Sequence, residues 1–162
     1  GQHTGLSPAL LSKLERGRLF PTLPTLLRIA MVFSVDLQYF FAGPRERPVV
    51  SVVRRKDRVR LPDTPGTPHV NFFFESLDFP AAERRLNAYY ADFPAIAEEH
   101  VRPHAHPGAE VVYVLNGSLE LRIGEQNHVL DAGDSVYFDS SIPHAYRRHA
   151  RQPCAAMIVT TA

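Results

Sequence analysis

The sequence predicts a mainly β protein, folded as a barrel or jelly roll and preceded by a short helical segment. After residue 50 the chain is a series of short apolar stretches separated by turns rich in glycine and aspartate, a pattern typical of an all-β domain. The 14 prolines are concentrated after residue 43, which favours turns and strands in that part. The first 42 residues instead carry apolar side chains at helical spacing.

Length and composition indicate a soluble globular protein with one core of good size or two smaller domains. The chain has 162 residues, of which 44% are hydrophobic and 22% charged. A net charge of +1 gives no general attraction to DNA or membranes, so such a partner would need a local patch. We expect no signal peptide and no transmembrane helix. The single cysteine excludes an intramolecular disulfide and fits a reducing cytoplasm.

Three short helices are predicted in the first 42 residues. The first begins at Ser7, a good N-cap followed by Pro8, and ends at Gly17. The second starts at Thr22, and the third is capped by Asp36. The apolar residues that share a face in the three helices are Leu6, Leu11 and Leu14; Leu26, Ile29, Ala30 and Phe33; and Leu37, Phe40 and Phe41.

The same segment carries motifs at 4–7, 11–18, 21–23, 27–30 and 35–37 that resemble the later part of a lambda-repressor-like helix-turn-helix domain of the xenobiotic-response-element family. The resemblance implies a partial DNA-binding domain at 1–42 whose recognition helix, residues 7–16, enters the major groove of double-stranded DNA as a homodimer. The helices that precede it in the family are missing, so we expect a truncated domain or a sequence that begins partway. The implied DNA-facing residues are Ser7, Ala9, Leu10, Ser12, Lys13 and Arg16.

A linker is predicted at 43–50, and a strongly basic run overlaps and follows it. From 45 to 60 the chain has seven arginines or lysines against two acidic residues. Such a run could hold DNA phosphates. A solvated edge strand is the favoured interpretation, because charges on a sheet edge discourage unwanted strand pairing.

The stretch from 104 to 117 contains candidate metal ligands. His104, His106 and Glu110 occupy even positions, and side chains two apart in an extended chain point to the same face. They can converge if the proline and glycine between them keep this alternation. Two imidazoles and a carboxylate form an incomplete site for a borderline transition metal. His144 is the candidate fourth ligand.

These residues resemble the two motifs of the cupin superfamily. The first is His104-x-His106-x3-Glu110-x6-Gly117, and the second runs from Gly133 to His144. The resemblance covers roughly 51–162 and implies a cupin double-stranded β-helix, a jelly-roll barrel, whose four ligands hold one divalent ion of Zn, Fe, Mn, Ni or Cu. The alternative is a cupin that has kept these residues but works without a metal. The departures are Glu98, Asp139, Ser141 and Arg148, which stand where the motifs have glycine, proline, glycine and asparagine.

The strands predicted for this domain are 69–75, 86–93, the strand that follows the first motif, 118–123, 128–130, 135–138 and 155–159. Side chains in a small barrel alternate between interior and exterior, so the face that carries the ligands should line a cavity for a small molecule. The candidate pocket residues, chosen by this alternation, are Phe72, Phe74, Tyr90, Arg102, Val112, Arg122 and Tyr137.

Two functions fit these features. The favoured one is a one-component transcription regulator in which a small-molecule effector enters the barrel and biases the helix-turn-helix geometry across a homodimer. The alternative is a metal-dependent cupin oxygenase or epoxidase that acts on a small organic acid. Beyond the metal ligands, no nucleophile, general acid or base, or cofactor loop stands out, so we predict no further catalytic residues.

Overall fold

The computed structural model describes residues 6–32, 37–40, 50–64, 66–79, 81 and 84–161. The mainly β class preceded by short helices is confirmed. The helices are α1 (Pro8–Glu15) and α2 (Leu23–Val32), with 3-10 turns at Leu37–Phe40, Arg55–Asp57 and Glu98–His100. The strands are β1 (Arg60–Pro62), β2 (Phe73–Ser76), β3 (Leu86–Phe93), β4 (Ala109–Asn116), β5 (Ser118–Ile123), β6 (Gln126–Asp131), β7 (Ser135–Asp139), β8 (His144–Arg148) and β9 (Cys154–Thr161). Each helix in these ranges is too short or too polar to cross a bilayer.

Helix α1 begins and ends where local signals predict. Ser7 is the N-cap, and its Oγ accepts a hydrogen bond from the N–H of Leu10 at 3.2 Å. After the helix, the N–H of Gly17 donates to the carbonyl of Leu14 at 2.9 Å. Gly17 has a φ of 64°, a left-handed conformation that glycine adopts without steric cost. The caps satisfy backbone groups that the helix itself leaves unpaired.

Helix α2 also follows its prediction, since the carbonyl of Thr22 accepts the N–H of Leu26 at 2.9 Å. Within it Ala30 is buried, and Leu26 and Ile29 are half-buried. The predicted cap at Asp36, the apolar positions Phe33 and Phe41, and nearly all of the linker at 43–50 lie outside the described residues.

The β domain consists of two antiparallel sheets. One has six strands in the order β1-β2-β3-β9-β4-β7, and the other has three in the order β6-β5-β8. Their facing side chains form one core with contributions from both sheets, including Phe93, Val112, Leu119, Phe138 and Tyr146. This arrangement agrees with the predicted jelly roll.

Between β4 and β5 the chain crosses from the large sheet to the small one within one residue, Gly117. A register shift at the end of β4 precedes this corner. The returning strand β9 starts beside it with Cys154, a buried core residue. Burial raises the pKa of the Cys154 thiol to about 11, so this side chain is a neutral core group at physiological pH.

The edge strand predicted for the basic run at 45–60 is absent from most of the residues described there. Residues 51–54 have no strand partner, and the exposed side chains of Val50 and Val52 pack into no core. The basic run forms an edge strand only at its end, in β1. There Arg60 donates two hydrogen bonds to the Asp92 carboxylate, at 2.9 and 2.6 Å. Arg58 lies 3.8 Å from Glu75, so part of the run is engaged in ion pairs.

Candidate metal centre

Two segments that are far apart in the sequence meet beside the first residue of β8. The N–H groups of His104 and His144 each donate to the other's carbonyl at 2.9 Å, which forms an isolated antiparallel bridge. The N–H of His106 then donates to the carbonyl of Ser140, also at 2.9 Å. Residues 104–106 therefore run antiparallel to 140–144, and this pairing joins the two motifs.

Three imidazoles cluster at this junction. His104, His106 and His144 each offer a ring nitrogen, and these three atoms lie within 4.8 Å of one another. The ring centroids of His104 and His144 are 4.2 Å apart, and those of His106 and His144 are 5.5 Å apart. His144 is fully buried, whereas the other two are half-buried. One side of the cluster therefore faces the core and the other is accessible.

Glu110 joins the cluster from β4. Its side chain is buried, and its Oε2 lies 3.1 Å from Nε2 of His106 and 3.9 Å from Nε2 of His144. The other oxygen, Oε1, accepts a hydrogen bond from the Tyr146 hydroxyl. The carboxylate thus presents one oxygen to the imidazoles while tyrosine holds the second.

His144 has the tautomer that a metal ligand needs. Its Nδ1 lies 2.9 Å from the carbonyl of Ile142, which can only accept, so Nδ1 carries the proton. Burial lowers the pKa of His144 and so favours the neutral ring. Its Nε2 lone pair is buried without a hydrogen-bond partner among the described residues. A buried acceptor of this kind is costly unless something binds it.

His106 is under the opposite influence. The hydrogen bond to Glu110 raises the pKa of His106, with burial acting against it. The Glu110 oxygen and the His106 nitrogen both carry lone pairs, so their close approach is stabilised by a positive charge between them. A proton on the imidazole supplies that charge. A divalent metal ion supplies it as well, and would compete with that proton.

These donors fit a divalent transition metal ion. Three ring nitrogens and one carboxylate oxygen suit Zn, Fe, Mn, Ni or Cu, and the free Nε2 of His144 is the observation that favours a bound cation.

Tyr146 is the site residue that sequence reasoning missed. It stands two residues after His144 on β8, so both side chains point to the same inner face. The two-residue spacing from His144 was the sequence signal that could have identified Tyr146 as a site residue. Tyr146 holds the carboxylate without contributing to the imidazole cluster, and outer groups of this kind orient metal ligands.

We expect Tyr146→Phe to weaken metal binding about 10-fold to 100-fold, because Glu110 loses the hydrogen bond that fixes its orientation. Isothermal titration with Zn²⁺ measures the effect. Tyr137→Phe is the matched control, since the Tyr137 ring is largely exposed on an outer face. Equal affinities for the two variants would show that Tyr146 does not position the carboxylate.

Comparisons with known proteins cover both parts of the chain. Residues 95–160 match the cupin domain family. The HTH-type transcriptional regulator SutR of Escherichia coli strain K12 is 28% identical over 150 residues, which span 92% of this chain and 76% of SutR. The crystal structure of an HTH_3 family transcriptional regulator from Vibrio cholerae is 27% identical with a TM-score of 0.51, and the match covers 99% of this chain and 83% of that one. This chain joins a helix-turn-helix segment to a cupin domain.

The fold is also similar to that of the hydroxypropylphosphonic acid epoxidase from S. wedmorenis. The TM-score is 0.58 at 20% identity, over 99% of this chain and 85% of the epoxidase. At that identity the likeness concerns the fold alone. The likeness extends over the helical segment as well as the β domain of this chain.

Three of the predicted pocket residues lie near the cluster or on its inner face. Val112 is fully buried on the same face of β4 as Glu110. The ring centroid of Phe72 is 6.0 Å from that of His104, and Phe74 lies next to Phe72 at 6.3 Å. Phe93, which the pattern did not single out, packs 6.1 Å from Phe72. The interior beside the imidazoles is therefore aromatic.

The other four predicted pocket residues are not brought to the cluster. Tyr137 lies on the outer face of β7, and Arg122 on the face of β5 opposite the buried Leu121. Tyr90 is on the side of β3 away from the core residue Ala91. The side chain of Arg102 is exposed. These four side chains therefore do not line the proposed pocket.

The predicted DNA-facing residues all belong to α1 and its caps. The exposed ones are Ser7, Ala9, Lys13 and Arg16, and the half-buried ones are Leu10 and Ser12. On the opposite side Leu6 is buried, and Leu11 and Leu14 are half-buried. The helix thus presents a polar, basic side.

Proposed function

We propose that this protein is a transcriptional regulator that binds double-stranded DNA and whose cupin domain binds one divalent transition metal ion and a small-molecule effector. The observation that carries the proposal is the extent of the similarity to SutR. It spans 92% of the chain and so includes the helix-turn-helix segment together with the cupin domain. The protein would act in the cytoplasm and needs no membrane.

In this proposal His104, His106, Glu110 and His144 hold the metal ion. Once bound, the ion supplies a Lewis-acid contact for an effector that has oxygen or nitrogen donors. Tyr146 orients Glu110, and Phe72 offers an aromatic surface beside His104. The effector class favoured by these contacts is a small chelating molecule with an apolar or aromatic part.

Regulation requires that the effector bind two conformations of the protein with different affinities. Helix-turn-helix proteins read two half-sites with two copies of their recognition helix, so we propose a homodimer. The exposed residues of α1 would meet DNA, with Lys13 and Arg16 on phosphates.

The test is binding of the purified protein to DNA from its own promoter, measured by fluorescence anisotropy at several salt concentrations. Lys13→Ala should weaken binding and lower the slope of log affinity against log salt by about 1, the effect of one lost phosphate contact. Arg151→Ala is the control, because Arg151 is an exposed cation in the turn between β8 and β9 of the cupin domain, outside both basic segments. Promoter binding no tighter than binding to unrelated DNA would refute the regulator.

The second candidate is a metal-dependent oxygenase or epoxidase acting on a small organic acid. It is supported by one feature of the site: Glu110 faces both His106 and His144, and two histidines with one carboxylate are the ligands of many non-heme Fe(II) oxygenases. Oxygen consumption with Fe(II) and small organic acids tests it. Turnover that is lost in His106→Ala would favour the enzyme over the regulator.

A further inference from the structure

On the outer face of the six-stranded sheet, the part formed by β4, β7 and β9 is apolar where water would normally cover it. On β4, Val111, Tyr113 and Leu115 point away from the core and expose 38%, 40% and 44% of their surface. Tyr137 on β7 exposes 71%, and Met157 on β9 exposes 36%. An antiparallel sheet with one solvated face normally alternates apolar and polar residues. Strand β4 instead has the composition of a strand that is covered on both faces.

These five side chains form one surface, which we call the outer patch. Val111 lies directly opposite Tyr137 on β7, and Tyr113 lies opposite Met157 on β9. Directly opposed residues in antiparallel strands have their Cβ atoms about 5 Å apart, so the side chains touch across the strands. Continuous apolar patches on a folded protein mark interaction sites more often than isolated exposed residues do.

The smaller sheet of the same domain shows what a solvated face looks like here. Its outer side carries Glu120, Arg122, Arg147 and His149. Arg147 donates to the carboxylate of Glu120, and His149 Nδ1 lies 3.6 Å from the same group. Apolar and polar residues therefore alternate along β5 of the small sheet, whereas both faces of β4 in the large sheet are mainly apolar.

The charges that border the outer patch on the β3 side are paired with opposite charges. Arg60 is bonded to Asp92, and Arg58 lies within 4 Å of Glu75. At the end of β7, the Asp139 carboxylate accepts two hydrogen bonds, from the N–H and the hydroxyl of Ser141, and keeps its negative charge at the border of the patch. None of the five residues of the outer patch carries a charge. The patch neither repels a copy of itself nor offers a charge to an acidic or basic partner.

We propose that the outer patch is the surface through which two copies of this chain form a twofold-symmetric dimer. In such a dimer the same patch meets itself, which requires a neutral, self-complementary surface. Tyrosine and methionine are enriched in interface cores, and the patch contains Tyr113, Tyr137 and Met157. The choice of a second copy as the occupant also rests on the proposed function, because helix-turn-helix readers bind two half-sites as dimers.

Sedimentation equilibrium of the purified protein, without DNA, tests the dimer. We expect the wild type to have the mass of two chains and Tyr137→Lys to raise the dissociation constant of the dimer about 30-fold or more, the effect of losing one interface hot spot. The matched control is Val129→Lys, which places the same charge at a half-exposed apolar position on β6 of the other sheet. It should sediment as the wild type does.

A wild type that is monomeric throughout the concentration range overturns the proposal, as does a dimer that Tyr137→Lys leaves intact. Circular dichroism and thermal unfolding show whether the variant is folded. If it is not, Met157→Lys probes the centre of the same patch. If the wild type is monomeric and the patch is protected from hydrogen exchange, another segment of the same chain covers the patch. That result also refutes the dimer. Because no DNA is present, a dimer that fails to bind promoter DNA would refute only the regulator.

Discussion

His106→Ala should abolish stoichiometric metal binding and reduce the affinity for Zn²⁺ at least 100-fold. The loss should exceed the roughly 10-fold to 100-fold cost of removing a group that only supports a ligand, because here a ligand itself is removed. His106 is the best position for the test, since its side chain is 25% exposed and its truncation opens no sealed cavity. Metal analysis of the purified protein and titration with Zn²⁺ measure the two effects.

Thermal unfolding gives a second readout of the same change. A metal that binds only the folded protein stabilises it by about 2.7 kcal/mol at a free concentration of 100 times its Kd. The wild type should gain this stability on addition of metal, whereas His106→Ala should gain almost none at that concentration. His128→Ala, a half-buried strand histidine outside the cluster, should behave as the wild type. An unchanged metal content in His106→Ala would remove His106 from the site.

The candidate site could be anticipated because its residues follow a simple rule of strand geometry. His104, His106 and Glu110 have even spacing, and the chain keeps their alternation as far as the buried Glu110. That His144 would join them depended on the resemblance to a known motif. The backbone pairing of His104 with His144, which creates the contact, has no local signal because it links residues 40 positions apart.

The pocket was harder to predict than the ligands. Alternation fixes which residues of one strand share a face, but it does not fix how one strand is aligned with the next. Tyr137 and Arg122 were chosen by alternation within strands β7 and β5, and both lie on outer faces. Tyr146 was missed because β8 was not recognised as a strand. Which side chains of neighbouring strands face the same cavity depends on the register between the strands, and that register is set by long-range pairing.

Local signals succeeded where the structure itself is local. Ser7 and Gly17 bound α1 through hydrogen bonds to residues three positions away. The valines at 50 and 52, in contrast, have high strand propensity but no partner strand in the described structure. Strand propensity measures how well a side chain fits a pleated, half-buried surface, so it cannot create a strand without a neighbour.

Gly117→Ala should lower the free energy of unfolding by about 3 to 5 kcal/mol, the largest effect we expect from any small substitution. Gly117 has a φ of 75°, where an alanine costs about 1 to 2 kcal/mol. A Cβ there would also lie 2.3 Å from the carbonyl oxygen of Pro153 and 2.8 Å from Cα of Cys154. Both are backbone atoms, so relief requires moving β9 away from the corner between the sheets. Urea unfolding measures the loss.

Gly133→Ala separates the two contributions. Gly133 has a φ of 97°, so it carries the same kind of backbone strain, but a Cβ there meets no atom within 4 Å. Its loss should therefore be confined to about 1 to 2 kcal/mol of conformational strain. If both variants lose the same free energy of unfolding, the close contact with β9 adds no cost to the backbone strain of a positive φ. If Gly117→Ala loses far more, the motif glycine after β4 is required because the backbone of β9 passes too close for any side chain.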